Sequence, residues 1–147
     1  MGLEFIVREG SLDEANMVHY RIQEFDEGYL EENFEKRCGS KTHFIAIAED
    51  RGIMLGYAIG YDRESDGSFY LWMAGVVPTC RRNGILTALM KAYEEFARKN
   101  GFKKLELKTR NSKREMLHWL VKNGFNFTAA NYREDIKDTE ILAEKQL

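Results

Sequence analysis

The stretch VVPTCRRNGILT, residues 76–87, joins an apolar segment to an amphipathic one and decides the fold. Residues 69–77 are apolar at nearly every position, which is typical of a strand buried on both faces. After Gly84 the apolar residues recur three or four positions apart over residues 85–97, which is helical spacing. The stretch therefore predicts a strand ending at Pro78, a loop of free backbone N–H groups, and a helix whose N-terminus suits an anion.

The rest of the chain predicts a single α/β domain over residues 1–147. Apolar and alternating runs predict strands over residues 3–8, 43–48, 53–61, 69–77, 103–108, 125–132 and 139–145. Helical spacing, a capping box at Ser11 and glycine stops predict helices over residues 12–27, 29–37, 84–100 and 113–122. The order β-α-α-β-β-β-α-β-α-β-β indicates a mixed sheet with helices on both faces and a right-handed parallel crossover between strands four and five. Within the fourth strand, Gly75 marks a bulge or a close backbone approach.

Composition and charge exclude several classes of protein. A chain of 147 residues suits one core, and a net charge of −2 argues against nucleic-acid binding by bulk charge. No apolar run approaches the ~20 residues that a membrane helix needs, and no secretory signal is visible. The cysteines Cys38 and Cys80 make no disulfide framework and favour free thiols in the cytoplasm. No Cys/His cluster has metal-ligand spacing, so we expect no metal.

Charge is distributed unevenly along the chain. Residues 24–35 carry six acids and no base, whereas residues 81–122 carry twelve bases and four acids. One region is therefore suited to a cation and the other to an anion. The alternative is that both are solvated helix faces.

The loop at residues 81–87 has only one glycine, Gly84, so it is neither a dinucleotide fingerprint nor a Walker loop. Its positive helix end, its free N–H groups and the side chains of Arg81, Arg82 and Asn83 suit a pyrophosphate. The alternative is a strand-to-helix turn with solvated arginines.

Three motifs resemble the GNAT family of N-acetyltransferases, and the order of elements is similar to theirs over residues 3–145. Val76-x-Pro78-x-x-Arg81-x-x-Gly84-x-Leu86 resembles the family's acetyl-CoA motif. Downstream, residues 107–111 resemble the end of its fifth strand, and residues 122–125 resemble its Lys-x-Gly-Phe signature. The resemblance implies a mostly antiparallel seven-stranded sheet whose fourth and fifth strands splay apart around acetyl-CoA.

The resemblance also implies which residues hold acetyl-CoA. The pantetheine amides would pair with strand backbone near Val76 and Val77, and Asn111 would lie at the end of the fifth strand. The pyrophosphate would lie on the loop and first helical turn, which comprise Arg81, Arg82, Asn83, Gly84, Ile85, Leu86 and Thr87. Family members usually have a small residue where this chain has Leu86, so that side chain either narrows the site or points into the core.

In this family an amine attacks the thioester directly, and a helical tyrosine often protonates the leaving thiolate. Counting back from Phe125 gives Leu120 at that position, whereas counting forward from Asn111 gives His118. We favour the count from Phe125, because the preceding loop can absorb insertions. The candidates for the acid are then His118, Tyr132 on the sixth strand, and water.

The general base is also open. Glu106 alternates with Leu105 and Leu107 beside the splay, and a glutamate on a covered strand face is a candidate base. The alternative is a structural glutamate paired with Lys104 or Lys108.

In this family the first two helices help to shape the acceptor site, and the acidic run falls on them. We therefore expect Glu27 and Glu31 to attract a cationic acceptor such as a polyamine, an aminoglycoside or a lysine side chain. Tyr29 is placed to pack against an alkyl amine. The alternative is that the aromatic residues here belong to the core.

The sequence thus predicts a cytoplasmic enzyme that moves an acetyl group from acetyl-CoA to a primary amine of a small-molecule or peptidyl acceptor. The competing interpretation is a non-catalytic acyl-CoA-binding sensor or interaction module on the same fold. A plain phosphate-binding protein is weaker, because it leaves Asn111 and residues 124–125 unexplained. The sequence does not decide between a monomer and a homodimer.

Overall fold

A computed structural model describes residues 4–22 and 24–147. The strands are β1 (Ile6–Glu9), β2 (His43–Asp50), β3 (Ile53–Tyr61), β4 (Ser68–Val76), β5 (Lys104–Arg110), β6 (Asn126–Asn131) and β7 (Glu140–Gln146). The helices are α1 (Leu12–His19), α2 (Tyr29–Cys38), α3 (Ile85–Lys99) and α4 (Arg114–Lys122). Short 3-10 turns occupy Pro78–Cys80 and Ile136–Asp138. Among the described residues, no helix is both long enough and apolar enough to cross a membrane.

The seven strands form one sheet in the order β1-β2-β3-β4-β5-β7-β6. The β4–β5 pair is parallel, and each of the other pairs is antiparallel. This confirms the predicted fold class and the parallel fourth and fifth strands. The first three residues of the chain, where the first strand was predicted to begin, lie outside the described part.

Most predicted bounds differ from the observed ones by one to three residues, and two differences bear on the site. α1 ends at His19 and not near residue 27, because the buried His19 ring bonds the Asp26 carbonyl oxygen and the Tyr57 hydroxyl, each at 2.8 Å. Of the described residues that follow, Tyr20 and Arg21 lie in a turn, and Ile22 still points inward at 1% exposure. Tyr132 lies one residue beyond β6 and not on it.

The sheet separates two apolar clusters. One lies under α3 and α4 and includes Leu89 and Tyr93, whereas the other lies under α1 and α2 and includes Val18 and Tyr57. The capping box predicted at Ser11 is present and begins α1. Because β4 contributes side chains to both clusters, as its near-continuous apolar sequence predicts, it forms the centre of the molecule.

β4 carries a β-bulge at Trp72. Ile59 of β3 lies opposite Met73, whereas the next residue, Gly60, lies opposite Leu71, so Trp72 is an extra residue. Trp72 and Met73 consequently both pack on the α1–α2 side of the sheet.

The β4–β5 ladder ends immediately before the bulge, at the pair Leu71 and Leu107. Beyond it, residues 72–76 of β4 and residues 108–110 of β5 have no ladder partner on the facing strand in the described structure. This opening, called the gap below, is the splay implied by the resemblance to the GNAT family.

Glycine allows close packing at two places beside the gap. A Cβ at Gly75 would lie 2.6 Å from Ile22 Cδ1, so this glycine marks a close approach, and the bulge lies elsewhere. A Cβ at Gly60, opposite the bulge, would collide with the Tyr93 ring and lie 2.6 Å from its hydroxyl oxygen. Tyr93 is fully buried and its hydroxyl donates to the Phe69 carbonyl, so the ring has little room to move.

We expect Gly60→Ala to lower the free energy of unfolding by roughly 1–3 kcal/mol, the usual cost of an overpacked core. Chemical denaturation of the wild type and the variant measures the difference. The control is the same substitution in a Tyr93→Leu background, where the collision is relieved and the additional cost should fall below that in the wild type. Equal costs in the two backgrounds would contradict the steric explanation.

Candidate active site

The loop that follows β4 turns back on itself through two left-handed residues. Arg82 has φ of 67° and Gly84 has φ of 80°, and α3 begins at the next residue. A conformation of this kind turns successive backbone N–H groups toward the concave side of a loop. A Cβ at Gly84 would meet no atom within 4 Å, so the concave side is open there.

Six consecutive N–H groups, from residue 82 to residue 87, have no hydrogen-bond acceptor in the part of the chain that the structure describes. The first regular bond of α3 runs from the Ala88 N–H to the Gly84 carbonyl oxygen. The positive end of the helix therefore coincides with an array of unused donors, which suits the oxygens of a pyrophosphate.

Leu86 packs against the apolar cluster under α3, and Ile85 is 2% exposed within it. The larger residue at position 86 is thus accommodated by the core, and it does not narrow the loop.

The loop side chains are held in different ways. Arg81 donates from Nε to the Val76 carbonyl oxygen at 3.2 Å and from Nη1 to Glu24 at 3.3 Å. The backbone N–H of Glu24 and the side chain of Arg81 both donate to the Glu24 carboxylate and lower its pKa. Arg82 pairs with Glu115 at 3.1 Å, but both side chains are more than 80% exposed, so Arg82 can exchange this partner for an anion at little cost.

Two more side chains of the loop make local bonds. Asn83 donates from Nδ2 to the Cys80 carbonyl oxygen at 3.0 Å and so closes the turn. The Thr87 hydroxyl oxygen accepts from Trp119 Nε1 at 3.0 Å, which joins α4 to the first turn of α3.

Val76, Val77 and Asn111 border the gap. Both valines are buried, and the Val77 N–H donates to the Leu55 carbonyl oxygen on β3, the side away from β5. Asn111 immediately follows β5, and its side chain donates to the Ile136 carbonyl oxygen in the β6–β7 connection at 3.2 Å. In the structure, Asn111 therefore holds the connection beside the end of the gap.

Glu106 lies opposite Tyr70, one pair before the ladder ends, and both line a small cavity of about 60 Å³ beside the gap. Lys104 Nζ lies 3.2 Å from the carboxylate of Glu106 and 3.2 Å from that of Glu144. Glu106 is thus paired with Lys104, as the alternative for this residue stated. It also lies at the start of the gap.

The other two candidate catalytic residues lie on the surface. His118 is exposed on α4, whereas Leu120, two residues on, is fully buried in the core. Tyr132 is 72% exposed. Neither His118 nor Tyr132 makes a side-chain hydrogen bond or an aromatic contact within residues 4–22 and 24–147.

The residues predicted to contact the acceptor lie on the α1–α2 side. Glu27 and Glu31 are exposed, and Glu31 accepts from the Tyr20 hydroxyl at 2.8 Å, which raises the pKa of Tyr20. The ring of Tyr29 lies 5.8 Å from that of Trp72, the bulge residue. Tyr29 thus lies beside the opening of the sheet.

Sequence analysis missed three cations on this same side of the sheet. Arg37 lies over the Trp72 ring at 5.3 Å, Lys41 over the Tyr61 ring at 5.9 Å, and Arg63 over the Tyr70 ring at 3.9 Å. No spacing along the chain could have revealed them, because each pair joins residues from separate elements. The one sequence pattern that indicates this aromatic face is the alternation of tyrosines and a tryptophan on two neighbouring strands.

A family model matches most of the chain. The model of the Acetyltransferase (GNAT) family matches residues 11–125. The chain finds no match among curated proteins.

Many solved structures share the fold. The ribosomal-protein-S18-alanine N-acetyltransferase of Escherichia coli is 19% identical with a TM-score of 0.78, over 97% of this chain and 94% of that one. An acetyltransferase of Bacillus subtilis in complex with CoA is 16% identical with a TM-score of 0.78, over 98% and 99%. A GNAT family acetyltransferase of Elizabethkingia anophelis with acetyl-CoA bound is 16% identical with a TM-score of 0.74, over 97% and 98%.

The two thiols differ in their surroundings. Cys38 is fully buried at the end of α2, and burial raises the pKa of its thiol to about 12. Cys80 is partly exposed at the start of the loop that carries the unused N–H groups. Since the thiolate is the reactive form, only Cys80 should react in the folded protein.

We expect a disulfide reagent at pH 8 to label one thiol of the native protein rapidly and the second only on unfolding. Cys80→Ser should abolish the rapid phase, and the matched Cys38→Ser variant should retain it. The measurement is the time course of thiol release, with peptide mapping of the labelled site. Rapid native-state labelling of Cys38 would contradict the assignment.

Proposed function

The chain belongs to the GNAT acetyltransferase family, and from this premise we propose that it transfers an acetyl group from acetyl-CoA to a primary amine. The observation that carries the proposal is the position of the loop. Six unused N–H groups lie in the loop and first helical turn that follow β4, and the bulge in β4 adjoins the gap. An anion site and an opening between strands lie side by side, as a pyrophosphate with an attached pantetheine arm requires.

The residues present fit acetyl-CoA. The N–H groups of residues 82–87 would hold the pyrophosphate, and the mobile guanidinium of Arg82 would add charge. The backbone of Val76 and Val77 would flank the pantetheine arm. Leu86, packed on the core, leaves the loop open.

The thioester supplies an activated acetyl group. In the proposed reaction the amine nitrogen forms a bond to the carbonyl carbon, the C–S bond breaks, and a proton leaves the nitrogen as the thiolate departs. The protein has to align the amine with the thioester and to accept that proton. No covalent intermediate with the protein is required.

We assign the role of base to Glu106. Its position supports this, because it lines the cavity at the point where β4 and β5 separate. Its carboxylate lies 3.2 Å from Lys104 Nζ, so the residue is held at the start of the gap. His118, Tyr132 and water stay as predicted candidates for the acid.

A non-catalytic acyl-CoA-binding module is the second candidate. The observation that favours it is Leu120, which is fully buried at the position where the family often has its acidic tyrosine. Release of CoA in the presence of an amine, beyond the rate with acetyl-CoA alone, distinguishes the enzyme from the module.

The acceptor stays a prediction. Glu27 and Glu31 are exposed and available to attract a cationic group, and Tyr29 beside Trp72 could pack on its alkyl part. The cytoplasmic location and the choice between a monomer and a homodimer likewise remain predictions.

Acetyl-CoA binding depends on the loop, so we expect Gly84→Asp to weaken it at least tenfold, measured by isothermal titration calorimetry. The added carboxylate would stand among the N–H groups and repel the pyrophosphate. Aspartate tolerates left-handed backbone, so the fold should survive.

The matched control is Gly67→Asp. Gly67 also has positive φ, 90°, and a Cβ there would meet nothing within 4 Å, but it precedes β4, at the opposite end of that strand. This variant should bind acetyl-CoA as the wild type does. Unchanged affinity in Gly84→Asp would show that the loop is only a turn.

If Glu106 is the base, Glu106→Gln should lower kcat by roughly 10²–10⁴, the usual contribution of a general base, with little change in acetyl-CoA affinity. Steady-state kinetics with an amine that the wild type acetylates measures this. The control is Glu144→Gln, which removes the other carboxylate bound to Lys104 and should retain most of kcat. Equal losses in the two variants would assign Glu106 a structural role.

A further inference from the structure

We infer that the acceptor carries an oxyanion, a carboxylate or a phosphate, about 10 Å from its amine. A pocket formed by Asn33, Lys36, Arg37, Lys41 and Tyr61, called the cationic pocket below, would bind it. The inference rests on the proposed function, and it narrows the acceptor from any cationic amine to one with charges of both signs.

The cationic pocket is a cavity of about 290 Å³ on the α1–α2 side of the sheet. Asn33, Lys36 and Arg37 lie three and four positions apart and thus share one face of α2, while Lys41 follows that helix and Tyr61 ends β3. Three of the five lining residues are cations and none is an acid.

The three cations have no carboxylate partner. No Asp or Glu oxygen of the described residues lies within 4.0 Å of the charged nitrogens of Lys36, Arg37 or Lys41. Clustered like charges without a counter-charge repel one another, and a bound anion removes that cost.

Arg37 is held in place for such an anion. Its Nη1 donates to the Tyr61 hydroxyl at 3.2 Å, and its guanidinium lies over Trp72. Burial lowers the pKa of Arg37, but hydrogen bonds with the hydroxyls of Tyr61 and Tyr29 outweigh it, so the net shift is upward and the group is always charged. A guanidinium fixed in this way keeps further N–H groups for two oxygens of one oxyanion.

The pocket is connected to the gap through the aromatic residues. Tyr61 lies opposite Tyr70 with ring centroids 6.0 Å apart, and Trp72 is the bulge residue at the opening. One strand spacing of ~4.8 Å and two residues of ~3.3 Å rise place the gap roughly 10 Å from the pocket. Trp72 Nε1 is buried with no hydrogen-bond partner in the described structure, so an unused donor lies beneath Arg37 and beside this route.

The first experiment uses amines of that length, since three extended residues span roughly 10 Å. Triglycine and triglycinamide differ only in their terminal carboxylate, and 6-aminohexyl phosphate with 6-aminohexan-1-ol supplies the phosphate arm. We expect the wild type to prefer the anionic member of at least one pair by roughly 10- to 100-fold in kcat/KM, through KM, as a hydrogen bond to a charged group allows.

In Arg37→Gln and in Lys41→Gln that preference should fall toward one, while the neutral amines and acetyl-CoA binding are unaffected. The control Lys99→Gln removes an exposed cation at the end of α3 and should keep the preference. Equal kcat/KM within both pairs for the wild type, or an unchanged preference in Arg37→Gln, would overturn the inference.

The second experiment does not need turnover. The chain has two tryptophans, and Trp72 lies at the pocket whereas Trp119 lies at the loop, so their indole N–H signals in NMR spectra are separate reporters. N-Acetyltriglycine, the acetylated product, should move the Trp72 signal in the wild type but not in Arg37→Gln, and the neutral N-acetyltriglycinamide should move it in neither.

A Trp72 signal that responds neither to N-acetyltriglycine nor to 6-aminohexyl phosphate would overturn the cationic pocket even if acetyl-CoA binds. Conversely, failure of acetyl-CoA to bind or to move the Trp119 signal, with a normal Trp72 response, would overturn the proposed function and leave the pocket intact.

Discussion

Trp72 is an extra residue in β4, the central strand, and the arrangement of the site follows from its position. Backbone N–H and C=O groups in a sheet require hydrogen-bond partners, so neighbouring strands normally stay paired. An extra residue in one strand disrupts this pairing locally. Here the extra residue lies in the antiparallel β3–β4 pair, and the parallel β4–β5 ladder ends one residue before it. The gap, the loop at its end and the aromatic surface on its α1–α2 side all follow from where that one residue is inserted.

Packing on both faces keeps the break in place. On one face Gly60 admits the Tyr93 ring against the sheet, and on the other Gly75 admits Ile22. A side chain at Gly60 would push α3 away from β3, and a side chain at Gly75 would push Ile22 away from β4. The two glycines therefore let the core close tightly around strands that are not fully paired with each other, so the opening lies within a rigid frame.

Much of this architecture could be predicted from the sequence. Apolar periodicity marks the elements, and the single proline with Gly84 marks the loop, because these signals are local. The end of α1 could not be predicted, since it depends on bonds from His19 to Tyr57 and to the Asp26 carbonyl, and Tyr57 lies 38 positions away. The bulge left no mark, because apolar residues on both sides of it suit either register. Arg37 was missed for the same reason as Tyr57: its partners, Trp72 and Tyr61, are close only after folding.

The ion pair between Arg81 and Glu24 couples the binding of an anion at the loop to the binding of a ligand at Glu24. Arg81 belongs to the loop that carries the unused N–H groups, whereas Glu24 belongs to the acidic segment between α1 and α2. An anion that draws Arg81 toward itself loosens its hold on Glu24, and by thermodynamic linkage a ligand that draws Glu24 away must change the affinity for that anion equally. Because both side chains are exposed and solvent screens the pair, the coupling is weak. The two ends of the site are thus weakly coupled, and each ligand changes the affinity for the other by the same small factor.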